Sequence, residues 1–112
     1  MEKIVQQGIL YDFYGELLTE HQKQVYESVV YENLSLGEIA GDLGVSRQAV
    51  HDMIKRTDRI LEGYEEKLGL IRRFDEVRSR IDDCIGIAKE SSLEEEKQSE
   101  LLGKLKEIRE II

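Results

Sequence analysis

Arg47, Gln48, His51, Asp52 and Lys55 alternate steps of one and three residues, so on a helix they share one face. Together they offer a planar guanidinium, an amide, an imidazole, a carboxylate and an ammonium. That set suits recognition rather than bond-making: guanidinium and amide groups pair with base edges, and ammonium groups pair with phosphates. With Ser46 and Arg56 at its ends, the candidate nucleic-acid-binding set is Ser46, Arg47, Gln48, His51, Asp52, Lys55 and Arg56. No catalytic constellation accompanies it. The chain has no glycine-rich phosphate loop, no Cys-x-x-Cys and no histidines at ligand spacing. His51 and Asp52 are neighbours on a helix and so are not expected to face each other, and neither has a nucleophile beside it. The expectation is a non-enzymatic protein without cofactor or metal.

Presenting that face requires a helix that begins at Arg47 and a second one to brace it. Ser35 followed by Glu38 is a capping box, which starts a helix near Leu36. Ile39, Ala40 and Leu43 give it an apolar face, and Gly44 stands where a tight turn needs positive φ. Val45 is placed to plug the angle between the helices, and Ser46 caps the next one. Val50, Met53 and Ile54 return an apolar face to the first helix. A small residue at Ala40 lets two closely joined helices cross with their backbones near each other. The stretch Ser35–Lys55 therefore predicts a helix-turn-helix whose second helix carries the reading face outward.

Upstream, Ile9, Leu10, Phe13, Tyr14, Leu17 and Leu18 predict a first helix from about Val5 to Leu18. A Thr19/Gln22 capping box opens a second, with Asn33 as its stop. Five of the seven aromatics precede residue 32, which places much of the bulky core in these two helices. Downstream, apolar positions continue through Ile60, Leu61, Tyr64 and Leu68 to Gly69, so the second motif helix is long, or kinked near Gly63. Leu70, Phe74, Val77, Ile81, Cys84 and Ala88 then follow an a/d pattern with the lone cysteine buried and reduced. A Ser92/Glu95 capping box opens a last helix striped by Leu101, Leu105, Ile108 and Ile112. Glu94, Glu95 and Glu96 suit its first turn through the helix dipole better than they suit a metal.

The absence of proline, 40% hydrophobic and 36% charged residues, and the lack of strand-like alternation predict an all-α fold. Charge argues against a simple nucleic-acid binder: the net value is −8, and residues 1–34 hold two bases against six acids. The segment Arg47–Arg59 reverses the balance locally, with four bases against Asp52 and Asp58. A second basic excess spans Arg72–Arg80. No apolar run approaches the ~20 residues of a membrane span, and MEKIVQQ does not read as a signal peptide, so the expected location is cytoplasmic.

The stretch LTEHQKQVYESVVYENLSLGEIAGDLGVSRQAVHDMIKR, Leu18–Arg56, resembles region four of bacterial sigma factors. From the YDFYGELLTEHQ segment onward, most of the chain is similar to the YlxM family of small helix-turn-helix proteins. That resemblance implies regulation linked to the signal recognition particle pathway and no catalysis. The expected architecture is a sigma region-four-like helix-turn-helix bundle over 1–68 with a C-terminal helical hairpin over 69–112 that serves oligomerisation. Expected partners are DNA or RNA, components of the signal recognition particle, and a second copy in a homodimer, because the C-terminal stripes carry more apolar surface than one hairpin covers. The alternative is a protein-interaction module that keeps the fold without binding DNA.

Overall fold

The computed structural model describes residues 2–111, which form six α-helices, one turn of 3₁₀ helix and no strand. The helices are α1 (Lys3–Tyr14), α2 (Glu20–Val30), α3 (Leu36–Leu43), α4 (Arg47–Leu68), α5 (Leu70–Glu90) and α6 (Glu95–Ile111). The chain packs as two compact units, residues 1–71 and 72–112.

In the first unit α4 is the central element, packed against α1, α2 and α3. Its buried side is Val50, Ile54, Thr57, Asp58 and Leu61, spaced at three and four residues as an amphipathic helix requires. Tyr14, Leu18, Val25, Tyr26, Ile39 and Ala40 close the core around it. A polar keystone sits inside that core: Gln7 Nε2 donates to Asp58 Oδ1 at 2.9 Å, and the Tyr26 hydroxyl donates to the same oxygen. Burial first, and then the Asp58 carboxylate, push the Tyr26 phenol well above the ordinary tyrosine range, so it stays a donor. A second polar cluster fixes the start of α5. Tyr14 donates to Glu65, the same Glu65 oxygen accepts from Ile71 N at 3.0 Å, and Leu70 N donates to the Tyr14 hydroxyl at 3.2 Å.

Two helix C-termini in this unit differ from expectation. The first helix ends at Tyr14 rather than Leu18, and Gly15–Leu17 tighten into the 3₁₀ turn. The Tyr11 ring lies over Gly15, where an added Cβ would come within 3.0 Å of it, and the tightened turn buries Leu18 while leaving Leu17 exposed. α2 ends at Val30, and Asn33 takes a left-handed φ of 53° in the loop that follows. The Thr19/Gln22 box is present in full. α4 runs uninterrupted past Gly63 to Leu68, where Gly69 at φ 63° stops it.

In the second unit the buried residues are Ile81, Ile85 and Ala88. Cys84, expected on the buried seam, is exposed. Ile85 lies four residues from Ile81 and offers a larger apolar group, so the covered face is turned one position past the cysteine. α6 begins at Glu95, two residues after the start that Ser92 would cap. The Gln98 amide closes the turn instead, donating to the last carbonyls of α5 at Ala88 (2.6 Å) and Lys89 (2.9 Å). Arg109 pairs with Asp82 at 3.1 Å. Ile112, named in the α6 stripe, lies outside the described residues.

Candidate nucleic-acid interface

The motif is assembled by local chemistry. The Ser35 hydroxyl accepts from Glu38 N while Glu38 returns to Ser35 N, the reciprocal pair of a capping box. Gly44 adopts φ 69° and ψ 32°, and the N–H groups of Gly44 and Val45 both close on the Ala40 carbonyl. The Ser46 hydroxyl accepts from Ala49 N at 3.0 Å, so α4 starts at Arg47. Ala40 is buried at the crossing as its size requires, but Val45 is 44% exposed and does not plug the angle; Ile39 and Val50 fill it.

Each predicted reader sits on or at the start of α4, and all are exposed except Lys55, which is half-buried. Arg47 leans back over α3: a Cβ added at Gly37 would meet its guanidinium at 3.1 Å from Nε and 3.2 Å from Nη2. Glycine at 37 thus gives the arginine a seat between the two motif helices. Gln48, an exposed residue, donates to Asp52 at 2.9 Å, which orients its amide. His51 Nδ1 lies 3.6 Å from the Asp52 carboxylate, beyond hydrogen-bond distance and an ion pair only when the imidazole is protonated. Asp52 therefore orients Gln48 and is not a free acceptor.

The electrostatics are more basic than residue counting implies. Asp58, one of the two acids in the Arg47–Arg59 segment, is only 7% exposed and is consumed by Gln7 and Tyr26. Within Arg47–Arg59, α4 then carries Arg47, Lys55, Arg56 and Arg59 against the one exposed acid Asp52, and its next exposed acid is Glu62. Among the described residues none of these four cations lies in a salt bridge. The Lys3 ammonium, brought up from α1, is the first cause holding the Lys55 pKa below the ordinary lysine range; burial and Arg59 add to it and Asp58 opposes it. The Gly37 seat, the withdrawal of Asp58 and the approach of Lys3 were invisible to sequence reading, since each joins residues ten or more positions apart.

Family comparison agrees with this architecture. The profile of the family described as "Putative helix-turn-helix protein, YlxM / p13 like" matches residues 1–108. The chain belongs to this family. It is 45% identical to the YlxM protein of Bacillus subtilis over 96 residues, covering 86% of this chain and 87% of that protein. A Listeria innocua relative is 40% identical over 107 residues, covering 96% and 97% of the two chains. A Thermoanaerobacter relative is 44% identical over 100 residues, 89% of this chain and 85% of its own length. The YlxM-like match spans both units, so the hairpin belongs with the motif as part of one family pattern.

Proposed function

We propose that the chain is a nucleic-acid-binding regulatory protein that acts through the outer face of α4. The observation that carries this reading is the set of cations Arg47, Lys55, Arg56 and Arg59, none of them in a salt bridge among the described residues, on a helix whose start is fixed by Gly44 and Ser46. Arg47 and Gln48 lie in the first turn, from which a helix of this motif reaches base edges, while Lys55 and Arg56 lie along the flanking backbone. The family resemblance extends the proposal to the signal recognition particle pathway, with the particle's RNA as a target beside DNA. Fluorescence anisotropy with particle RNA and with duplex DNA tests it: Arg47→Ala should weaken binding, and unchanged affinity on every nucleic acid that the wild type binds would overturn the assignment.

A second reading is favoured by the net charge of −8, which suits docking on a basic protein surface. It predicts association with the protein components of the particle that survives Arg47→Ala and weakens with salt. We also propose a homodimer formed through residues 72–111, where Ile87 (68%), Leu93 (47%), Leu101 (42%) and Ile108 (46%) remain exposed. Ile87→Asp with Ile108→Asp should convert a dimeric sedimentation-equilibrium mass to a monomeric one while preserving helicity. A monomeric wild type at micromolar concentration rules the dimer out.

A further inference from the structure

α1 and α4 run in a fixed parallel register. Gln7 bonds Asp58 and Tyr14 bonds Glu65, and both pairs are separated by 51 residues. Carried back to Lys3, the same offset falls at Ile54, beside Lys55, and the Lys3 ammonium is the charge that acts most strongly on Lys55. Arg59 lies one helical turn beyond Lys55 on the same side. Three cations from two distant parts of the sequence therefore converge at one place. Of the acids adjacent to them in sequence, Asp58 is buried and already accepts from Gln7 and Tyr26, while Glu2, next to Lys3, is exposed and forms no salt bridge among the described residues. Glu62 lies farther along, where it lines a cleft with Lys3, Gln6 and Gln7. Lys3, Lys55 and Arg59 make no salt bridge among the described residues.

We propose that Lys3, Lys55 and Arg59 form a phosphate clamp that extends the interface from α4 onto the start of α1. The inference rests on the nucleic-acid reading above and deepens it by assigning contact to a residue outside the motif. Like charges held together without a counter-ion are relieved when a polyanion supplies one, and a phosphodiester bridging two ammonium groups does so without reading sequence. The lowered Lys55 pKa is consistent with that unrelieved repulsion, of which Lys3 is the first cause. Such a clamp fixes the angle at which α4 meets the backbone, because α1 is bound rigidly to α4 through Asp58 and Glu65.

The full-length chain is tested by fluorescence anisotropy on a fluorescein-labelled mixed-sequence DNA duplex and an RNA duplex of the same sequence, across a salt series. For a duplex DNA partner, Lys3→Gln should reduce the log–log salt slope by about 0.9, with a severalfold loss of affinity at low salt. Lys3→Arg should restore both, and Lys55→Gln should act like Lys3→Gln. Lys23→Gln, which removes a lysine engaged by Glu16 and Glu20, should leave the slope unchanged. A Lys3→Gln slope equal to wild type, while Arg47→Ala and Lys55→Gln weaken binding, overturns the clamp and leaves the α4 reading standing. No effect of Arg47→Ala or Lys55→Gln, or no binding of wild type to either duplex, overturns the α4 reading and the clamp with it. Loss on only one duplex identifies which nucleic acid the clamp grips.

Discussion

Both units of this chain are built from amphipathic helices, but they differ in how much of each apolar stripe finds cover. In residues 2–71 nine hydrophobic residues from Tyr14 to Leu61 are buried in one cluster, whereas in 72–111 only Ile81, Ile85 and Ala88 are, and α6 buries none. The reason is geometric. α4 is surrounded by three helices, so residues on several of its sides find partners, while in a pair of helices each can cover only one face of the other. The first unit consequently holds the motif rigid from its own interior, and the second keeps apolar surface available.

The largest expected consequence concerns two leucines. Leu61 is 0% exposed and Leu101 is 42% exposed. Leu61→Ala should cost about 2–5 kcal/mol through lost transfer energy and a cavity that a packed core closes only in part. Leu101→Ala should cost about 0.5 kcal/mol or less in the unassociated chain, as for other surface sites. Urea unfolding followed by far-UV circular dichroism at low protein concentration measures both. Equal losses would break the comparison, and a Leu101→Ala loss that grows with protein concentration would sharpen it by locating the cover in a second copy.

The next pair isolates backbone from packing. A Cβ added at Gly44 or at Gly103 meets no atom within 4 Å, so neither substitution creates a clash. The signs nevertheless oppose. Gly44 sits at φ 69° as the motif turn, and Gly44→Ala should lose about 1–2 kcal/mol because an L side chain resists the left-handed region. Gly103 lies inside α6, and Gly103→Ala should gain about 0.4–1 kcal/mol by restricting the unfolded chain and favouring the helix. Thermal melts of the two variants check the pair, and like signs would mean that the Gly44 turn is not held as described.

These contrasts also explain what could be read in advance. Ser35 with Glu38, Thr19 with Gln22, Ser46, Gly44 and Gly69 were legible because each acts on backbone within a few residues of itself. The seven candidate readers were placed by the same local logic, since the start of α4 fixes their face. Three failures share another cause. Ser92 does not cap α6 because Gln98 reaches across to α5, Leu17 is exposed because the Tyr11 ring takes the space over Gly15, and Cys84 yields its place to Ile85 because a one-residue shift of the seam depends on the opposing helix. Lys3 beside Lys55, and Asp58 withdrawn by Gln7 and Tyr26, belong to the same class of long-range facts.

The smallest expected effect is a pH dependence that separates the units by composition. All five tyrosines precede residue 72, and four of them donate to carboxylates: Tyr11 to Glu27, Tyr14 to Glu65, Tyr26 to Asp58 and Tyr31 to Asp12. Tyr31 is pushed up to about 12, first by burial of its hydroxyl and then by the Asp12 carboxylate. A phenol whose folded pKa exceeds its unfolded value of about 10 binds its proton more tightly when folded, so its contribution is complete below pH ~10 and disappears as pH rises toward 12. The first unit should therefore lose stability over that interval. Tyr31→Phe should flatten the decline slightly, and only slightly, because the side chain is 54% exposed and solvent screens the pair. Urea midpoints of wild type and Tyr31→Phe at pH values on both sides of the interval give the difference. A gap between them that stays constant from neutral to strongly alkaline pH would show that the Tyr31 hydroxyl is not linked to folding, and would remove it from the contacts that tie α2 to α1.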